Sequence, residues 1–120
     1  MQAILQSQGI HHITLNGADR KTSIGFWQDI LGMKLIFEQP NLDDGTENHL
    51  YFDCGDGRTV TVFTNESRIG KTEPLATSLG SVHHLAFWVS QSTIRVAEKK
   101  LKERGIGSSG IKDRGFMDSI

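Results

Sequence analysis

The apolar positions of this chain change period several times, and each change marks an element. Residues 10–16, IHHITLN, form a short run rich in β-branched side chains, which predicts a strand. In the following DRKTSIGFWQDILG, apolar Ile24, Trp27, Ile30 and Leu31 recur at helical spacing, with Asp19 placed to cap the start and Gly32 to close the end. MKLIFEQ then reads as a strand and PNLDDGTEN as a polar loop. HLYFDCGDGRTVTVFT reads as two strands joined at GDG, where glycine supplies positive φ. NESRIGKTEPLATSLGS, with Pro74 and many small residues, reads as a linker.

Beyond the linker the pattern restarts. VHHLAFWV predicts a strand and STIRVAEKKLKERG a helix, with Ile94, Ala97 and Leu101 on one face and Gly105 at its end. Glu98 and Lys102 stand at i,i+4 spacing suited to an ion pair. His12 and His84 are 72 positions apart, and Gly32 and Gly105 are 73 apart. An offset that holds across a strand and a helix indicates an internal duplication, with modules over about residues 9–64 and 81–120. The first module is strand, helix, then three strands. The second reaches Ile120 before its last hairpin, so that hairpin is expected to be missing.

Composition narrows the function classes. With 120 residues, 37% apolar and 22% charged, the chain has the size of one compact globular domain or two very small ones, and enough apolar residues for a real core. Its formal net charge of −1 and lack of a long basic run argue against nucleic acid or an anionic membrane as partner. Lys99, Lys100, Lys102 and Arg104 are interleaved with Glu98 and Glu103, as on a solvated helix face. A single cysteine, Cys54, excludes an intrachain disulfide and reads as a small buried hydrophobe. No apolar run approaches the ~20 residues that span a bilayer. MQAILQSQ lacks the features of a signal peptide, so a cytoplasmic location is expected.

Four of the five histidines form the pairs His11–His12 and His83–His84, each heading an apolar run. Strand alternation puts His12, Thr14 and Asn16 on one face and His11, Ile13 and Leu15 on the other. It likewise separates His84, Ala86 and Trp88 from His83, Leu85 and Phe87. The more apolar face should pack under a helix, so His11 and His83 are expected in the core and His12 and His84 in a cleft. The same alternation adds His49, Tyr51, Thr61 and Phe63 to that cleft. Neutral imidazole ligates Zn, Fe, Mn and Ni, so two histidines on duplicated strands suit two positions of a metal site. His49 occurs once, and reads either as a proton-transfer group or as an ordinary exposed histidine.

Taken in order, GIHHITL, FWQDILGMKLIF, HLYFDCGDGRTVTVF, VHHLAFWV, and LKERGI followed by DRGFMDSI resemble the vicinal oxygen chelate superfamily over about residues 8–120. That superfamily contains glyoxalase I, bleomycin-resistance proteins, fosfomycin-resistance enzymes and extradiol ring-cleaving dioxygenases. The resemblance implies an α+β fold of paired βαβββ modules whose curved sheets form an open barrel around a divalent metal. It places first-strand metal ligands at His12 and His84. The position matching a family glutamate is Thr61, and the remaining carboxylate belongs to the final strand of the second module. Asp43, Asp44 and Glu47 are expected to be solvated loop residues. What is implied resembles an extradiol dioxygenase most: Fe(II) or Mn(II), with Zn or Ni as alternatives, binding adjacent oxygens of a small-molecule substrate, with His49 and Tyr51 as candidate catalytic residues. A non-catalytic protein of the bleomycin-resistance kind, and a glyoxalase-like lyase or thiol transferase, are the alternatives. An open sheet edge left by the missing hairpin would favour a homodimer, unless the polypeptide continues beyond Ile120.

Overall fold

The computed structural model describes residues 2–74 and 76–120; Met1, and Leu75 within the expected linker, lie outside the described residues. The chain separates into two compact units, Met1–Pro74 and Leu75–Ile120. In the first, the order is β1 (His12–Asn16), α1 (Arg20–Ile24, continued as a π-helical segment Gly25–Ile30), β2 (Leu35–Pro40), β3 (Asn48–Asp53) and β4 (Thr59–Thr64). These strands form one open sheet in the order β1-β4-β3-β2. β1 runs parallel to β4, and the other two pairings are antiparallel.

The helix starts where its sequence predicts. The Thr22 N–H donates to the Asp19 carboxylate at 3.2 Å, satisfying one of the donors that the first turn leaves unpaired. Gly32, at φ 72°, turns the chain out at the other end, where its N–H reaches Gln28 O at 3.0 Å and Met33 N–H reaches Trp27 O at 2.9 Å. The second of these bonds spans one residue more than the usual closing bond of a helix. The π-helical turn is the cause, since Leu31 N–H bonds back to Phe26 O, five residues earlier. Widening the turn rotates Leu31 out of the apolar stripe, and it is exposed rather than packed. Ile24 and Trp27 remain on the core.

That core lies on the helix side of the sheet. Leu50, Phe52, Val60 and Val62 are buried with Met33, and Leu15, Ile24, Trp27, Leu35 and Cys54 pack against them. Removing each large side chain from water contributes about 1.5–3 kcal/mol. Cys54, expected to be buried, is half-buried against this core, and burial pushes its thiol pKa up, away from reactivity. A register shift between Leu35 and Phe37 in β2 lets Leu35 face the core while Phe37, two residues on, pairs with Tyr51 on the other face. At the hairpin, Gly55 and Gly57 both take positive φ.

Two expectations about polar segments are corrected here. Glu47 is buried instead of solvated: it pairs with the Arg68 guanidinium and accepts from Asn41 Nδ2 at 3.2 Å. Arg68 belongs to the segment read as linker, yet it donates to Gly17 O at 2.9 Å, tying the end of β1 to the loop before β3. Asn65 caps the short 3₁₀ turn Glu66–Arg68 that brings Arg68 back. The linker therefore begins beyond this clamp. Bidentate donation from Arg20 to Glu38, at 2.6 and 3.2 Å, joins the helix start to β2.

The second unit holds α2 (Gln91–Glu103), capped by Ser90 and closed by Gly105 at φ 69°, and a minimal hairpin of β5 (Lys112–Asp113) with β6 (Asp118–Ser119). Ile94 is buried, and Ala97 and Leu101 are half-buried, as their spacing predicts. The ion pair on α2 joins Lys99 to Glu103 at 3.9 Å, in place of the expected Glu98–Lys102 pair. VHHLAFWV does not form the predicted strand: residues 82–90 have no regular structure. A strand exists only as part of a ladder. β1 has β4 beside it, whereas among the described residues of the second unit β5 and β6 pair with each other.

Gly17 sets how closely β1 can pass β4. Its N–H donates to Phe63 O at 2.8 Å, and a Cβ added there would stand 2.3 Å from Val62 Cγ1. Gly17→Ala is expected to destabilise the first unit by about 1–3 kcal/mol, the usual cost of overpacking. Urea denaturation would show it as a lower midpoint with an unchanged slope.

Candidate functional site

The side of the sheet away from the helix carries the polar and aromatic residues. Register places His12 opposite Thr59, Thr14 opposite Thr61, Tyr51 opposite Thr61, and His49 opposite Phe63. Alternation along each strand then puts His12, Thr14, Thr61, Phe63, His49 and Tyr51 on one face, as predicted for the first module.

Thr61 is the hub of this face. Its hydroxyl lies 2.6 Å from Thr14 Oγ1 and 2.7 Å from His49 Nε2, and it is fully buried beneath those neighbours. The other ring nitrogen, His49 Nδ1, lies 3.1 Å from the Tyr51 hydroxyl. The imidazole sits between aromatic rings, with centroids 4.3 Å from Tyr51 and 4.5 Å from Phe63, and Phe37 extends the cluster at 5.2 Å from Tyr51. Burial, and secondarily the nearby positive charge of His12, hold the His49 pKa below its ordinary value, so the ring is neutral near pH 7.

The histidine pairs depart from expectation in an informative way. His11 is exposed rather than in the core, because β1 begins at His12 and alternation does not extend to the bend before it. His83 is exposed too, in a segment without a ladder to hold alternation. Instead, adjacent rings meet: His11 Nδ1 lies 2.8 Å from His12 Nδ1, and His83 Nδ1 lies 2.7 Å from His84 Nδ1. The rings stand edge to face, at 81° in the first pair and 75° in the second. Such a contact takes one proton between two nitrogens. When His12 donates it, His12 Nε2 is bare and free to ligate a metal, and the same holds for His84.

Tested against a resident metal, the donors fit in kind, since each unit offers an exposed imidazole at the expected position, His12 in the first and His84 in the second. They do not complete a centre: among the described residues no three His, Cys, Asp or Glu side chains gather to hold an ion. Thr61 is committed to hydrogen bonds with Thr14 and His49. Sequence reasoning placed Thr14 and Thr61 on the right face and missed their contact. The register that brings positions 47 residues apart within 2.6 Å has no local signal.

The sequence pattern of the Glyoxalase/Bleomycin resistance protein/Dioxygenase superfamily matches residues 9–120. The chain belongs to that superfamily. A curated relative, MhqA of Bacillus subtilis (strain 168), named as a candidate ring-cleaving dioxygenase, is 25% identical over 120 residues. That alignment covers 97% of this chain and 37% of MhqA, so the chain spans little more than a third of that relative. Among solved structures, a candidate dioxygenase from Bacillus subtilis superposes with a TM-score of 0.78 at 24% identity, covering 94% of this chain and 36% of that one. The E126Q mutant of the fosfomycin resistance protein FosX from Listeria monocytogenes, complexed with Mn(II) and dihydroxypropylphosphonic acid, gives 0.65 at 16% identity. It covers 92% of this chain and 79% of that one. These two structural likenesses concern the fold. As in the superfamily at large, the first unit is a βαβββ module with an unclosed sheet. Among the described residues, no helix is long and apolar enough to cross a membrane.

The lowered His49 pKa makes stability depend on pH in this superfamily member. The unfolded chain binds the His49 proton more readily than the folded one, so this contribution is fully present above about pH 6.5 and is lost as pH falls through the folded value. Urea midpoints measured downward from neutral pH should therefore fall. The decline should be shallower in His49→Gln, which replaces the titrating ring with a neutral amide.

Proposed function

We propose that this chain is the metal-binding part of a ring-cleaving dioxygenase acting on a small aromatic substrate with adjacent oxygens. In this reading His12 and His84 ligate a divalent metal, Fe(II) or Mn(II), through Nε2, with a carboxylate as third protein ligand. The observation that carries it is the repeated histidine pair, with the same Nδ1···Nδ1 contact at 2.8 and 2.7 Å in both units. Similarity to MhqA supports ring cleavage over other chemistries of the superfamily. When bound, the metal supplies a Lewis acid for the two substrate oxygens and a path for electrons to O₂.

The chain's own residues do the rest. His11 and His83 accept the Nδ1 proton of their neighbours, which holds each ligating ring in one tautomer and orientation. Neutral His49 and the Tyr51 hydroxyl manage the substrate proton. Phe37, Phe63 and Tyr51 offer ring faces to an aromatic substrate. The half-buried position of His49 and Phe63 limits water around these groups.

Metal analysis after equilibration with Mn(II), and oxygen uptake with a catechol under Fe(II), test this reading. His12→Ala and His84→Ala should each abolish stoichiometric metal, whereas His11→Ala should retain the metal with affinity weakened by about 10–100-fold. Full metal content in the double variant His12→Ala/His84→Ala would refute the assignment. A wild-type chain that binds a catechol without metal and consumes no oxygen would point to a sequestering protein instead.

A further inference from the structure

The hydrogen bonds on the open face form one unbroken line: Thr14 Oγ1 to Thr61 Oγ1 at 2.6 Å, Thr61 Oγ1 to His49 Nε2 at 2.7 Å, and His49 Nδ1 to Tyr51 OH at 3.1 Å. Every member can both donate and accept, so the line exists in two polarities that differ by one shift of every proton. We propose that Thr14, Thr61, His49 and Tyr51 form a proton relay, in which Thr14 takes the proton of a bound hydroxyl and Tyr51 releases one to solvent.

The proton count closes. At the start the Thr14 hydroxyl donates to Thr61, the Thr61 hydroxyl to bare His49 Nε2, and His49 Nδ1–H to the Tyr51 oxygen. A ligand O–H transfers its proton to Thr14 Oγ1, and each member passes its own proton to the next. Tyr51 gives up its hydroxyl proton to water. The ligand ends as an anion, all four side chains remain neutral, and His49 has changed from its Nδ1–H to its Nε2–H tautomer. No oxidant or cofactor takes part in this transfer.

Placement supports this direction. Thr14 is exposed and stands two residues from His12 on the same face of β1, about 7 Å away along the strand. A hydroxyl of a ligand held at His12 therefore falls near Thr14. Thr61, fully buried, is shielded from water that would short-circuit the line. Packing against Tyr51 and Phe63 holds the His49 ring in the one orientation that bonds at both nitrogens. A neutral imidazole is also the form that both accepts and donates. Thr14 is thus the group that touches substrate, and Thr61 is a relay residue acting through it. The inference rests on the proposed reading of His12 as a metal ligand, since the substrate hydroxyl comes beside Thr14 only when the metal holds it there.

The relay predicts that His49 interconverts between tautomers, which a purely structural hydrogen bond does not require. Nitrogen NMR of the metal-free full chain, above the His49 titration, should show both ring nitrogens at averaged positions in wild type and in Thr61→Ser. In Thr61→Val, which lacks the hydroxyl, His49 should settle into a single tautomer. With Fe(II) and catechol, Thr61→Val should lower kcat about 100-fold with KM little changed, the scale of lost proton transfer, and Thr61→Ser should restore most of it. A wild-type His49 held in one tautomer, tautomer exchange persisting in Thr61→Val, or Thr61→Val turning over like wild type would each overturn the relay. Absence of metal binding or turnover in wild type would instead refute the proposed function. The tautomer measurement uses neither, so it decides the relay separately.

Discussion

β4 sits between β1 and β3, and its two ladders hold the first unit together. Its parallel pairing with β1 joins residues 47 positions apart, a contact that forms only after a large loop entropy has been met. In return β4 serves both layers. Val60 and Val62 fill the core, and Thr61 and Phe63 organise the opposite face. The clamp of Arg68 on Gly17 and Glu47 and the bare edge of Gly17 against Val62 both secure the end of this parallel ladder. Disturbing that junction would disturb core and candidate site together.

The same division explains why the face away from the helix can be polar. Hydrophobic stabilisation comes from the helix side, where Leu50, Phe52, Val60 and Val62 exclude water. The other face is left free for hydroxyls and imidazole, provided each finds a partner, since a buried polar group without one is costly. Thr61 meets that condition twice, through Thr14 and His49. A threonine suits any strand through its β-branched side chain, and here its hydroxyl also becomes the node of a network. Its neighbours, held by the sheet, need no further ordering when a ligand arrives.

The duplicated histidine pair shows a different economy. In both units two adjacent histidine rings meet at their Nδ1 atoms, so the geometry travels with two neighbouring residues. It survives even where VHHLAFWV lacks a ladder. The π-helical turn and the β2 register shift are further features of the first unit's packing.

The sequence by itself determined the local elements. Periodicity and end signals located β1 through β4 and both helices, because a cap such as Asp19 and closing glycines such as Gly32 and Gly105 act within a few residues. It also determined which residues of a paired strand share a face, since alternation is a property of the extended backbone. Tertiary structure decided the rest. Whether His11 entered the core depended on where pairing with β4 began, and whether VHHLAFWV became a strand depended on a neighbour to bond. Glu47 was buried because Arg68 returned from what looked like linker, and Thr61 became a hub because the β1–β4 register set Thr14 beside it. Each of these is a contact between residues far apart in the chain, and local sequence carries no energy term for such a contact until the sheet has formed.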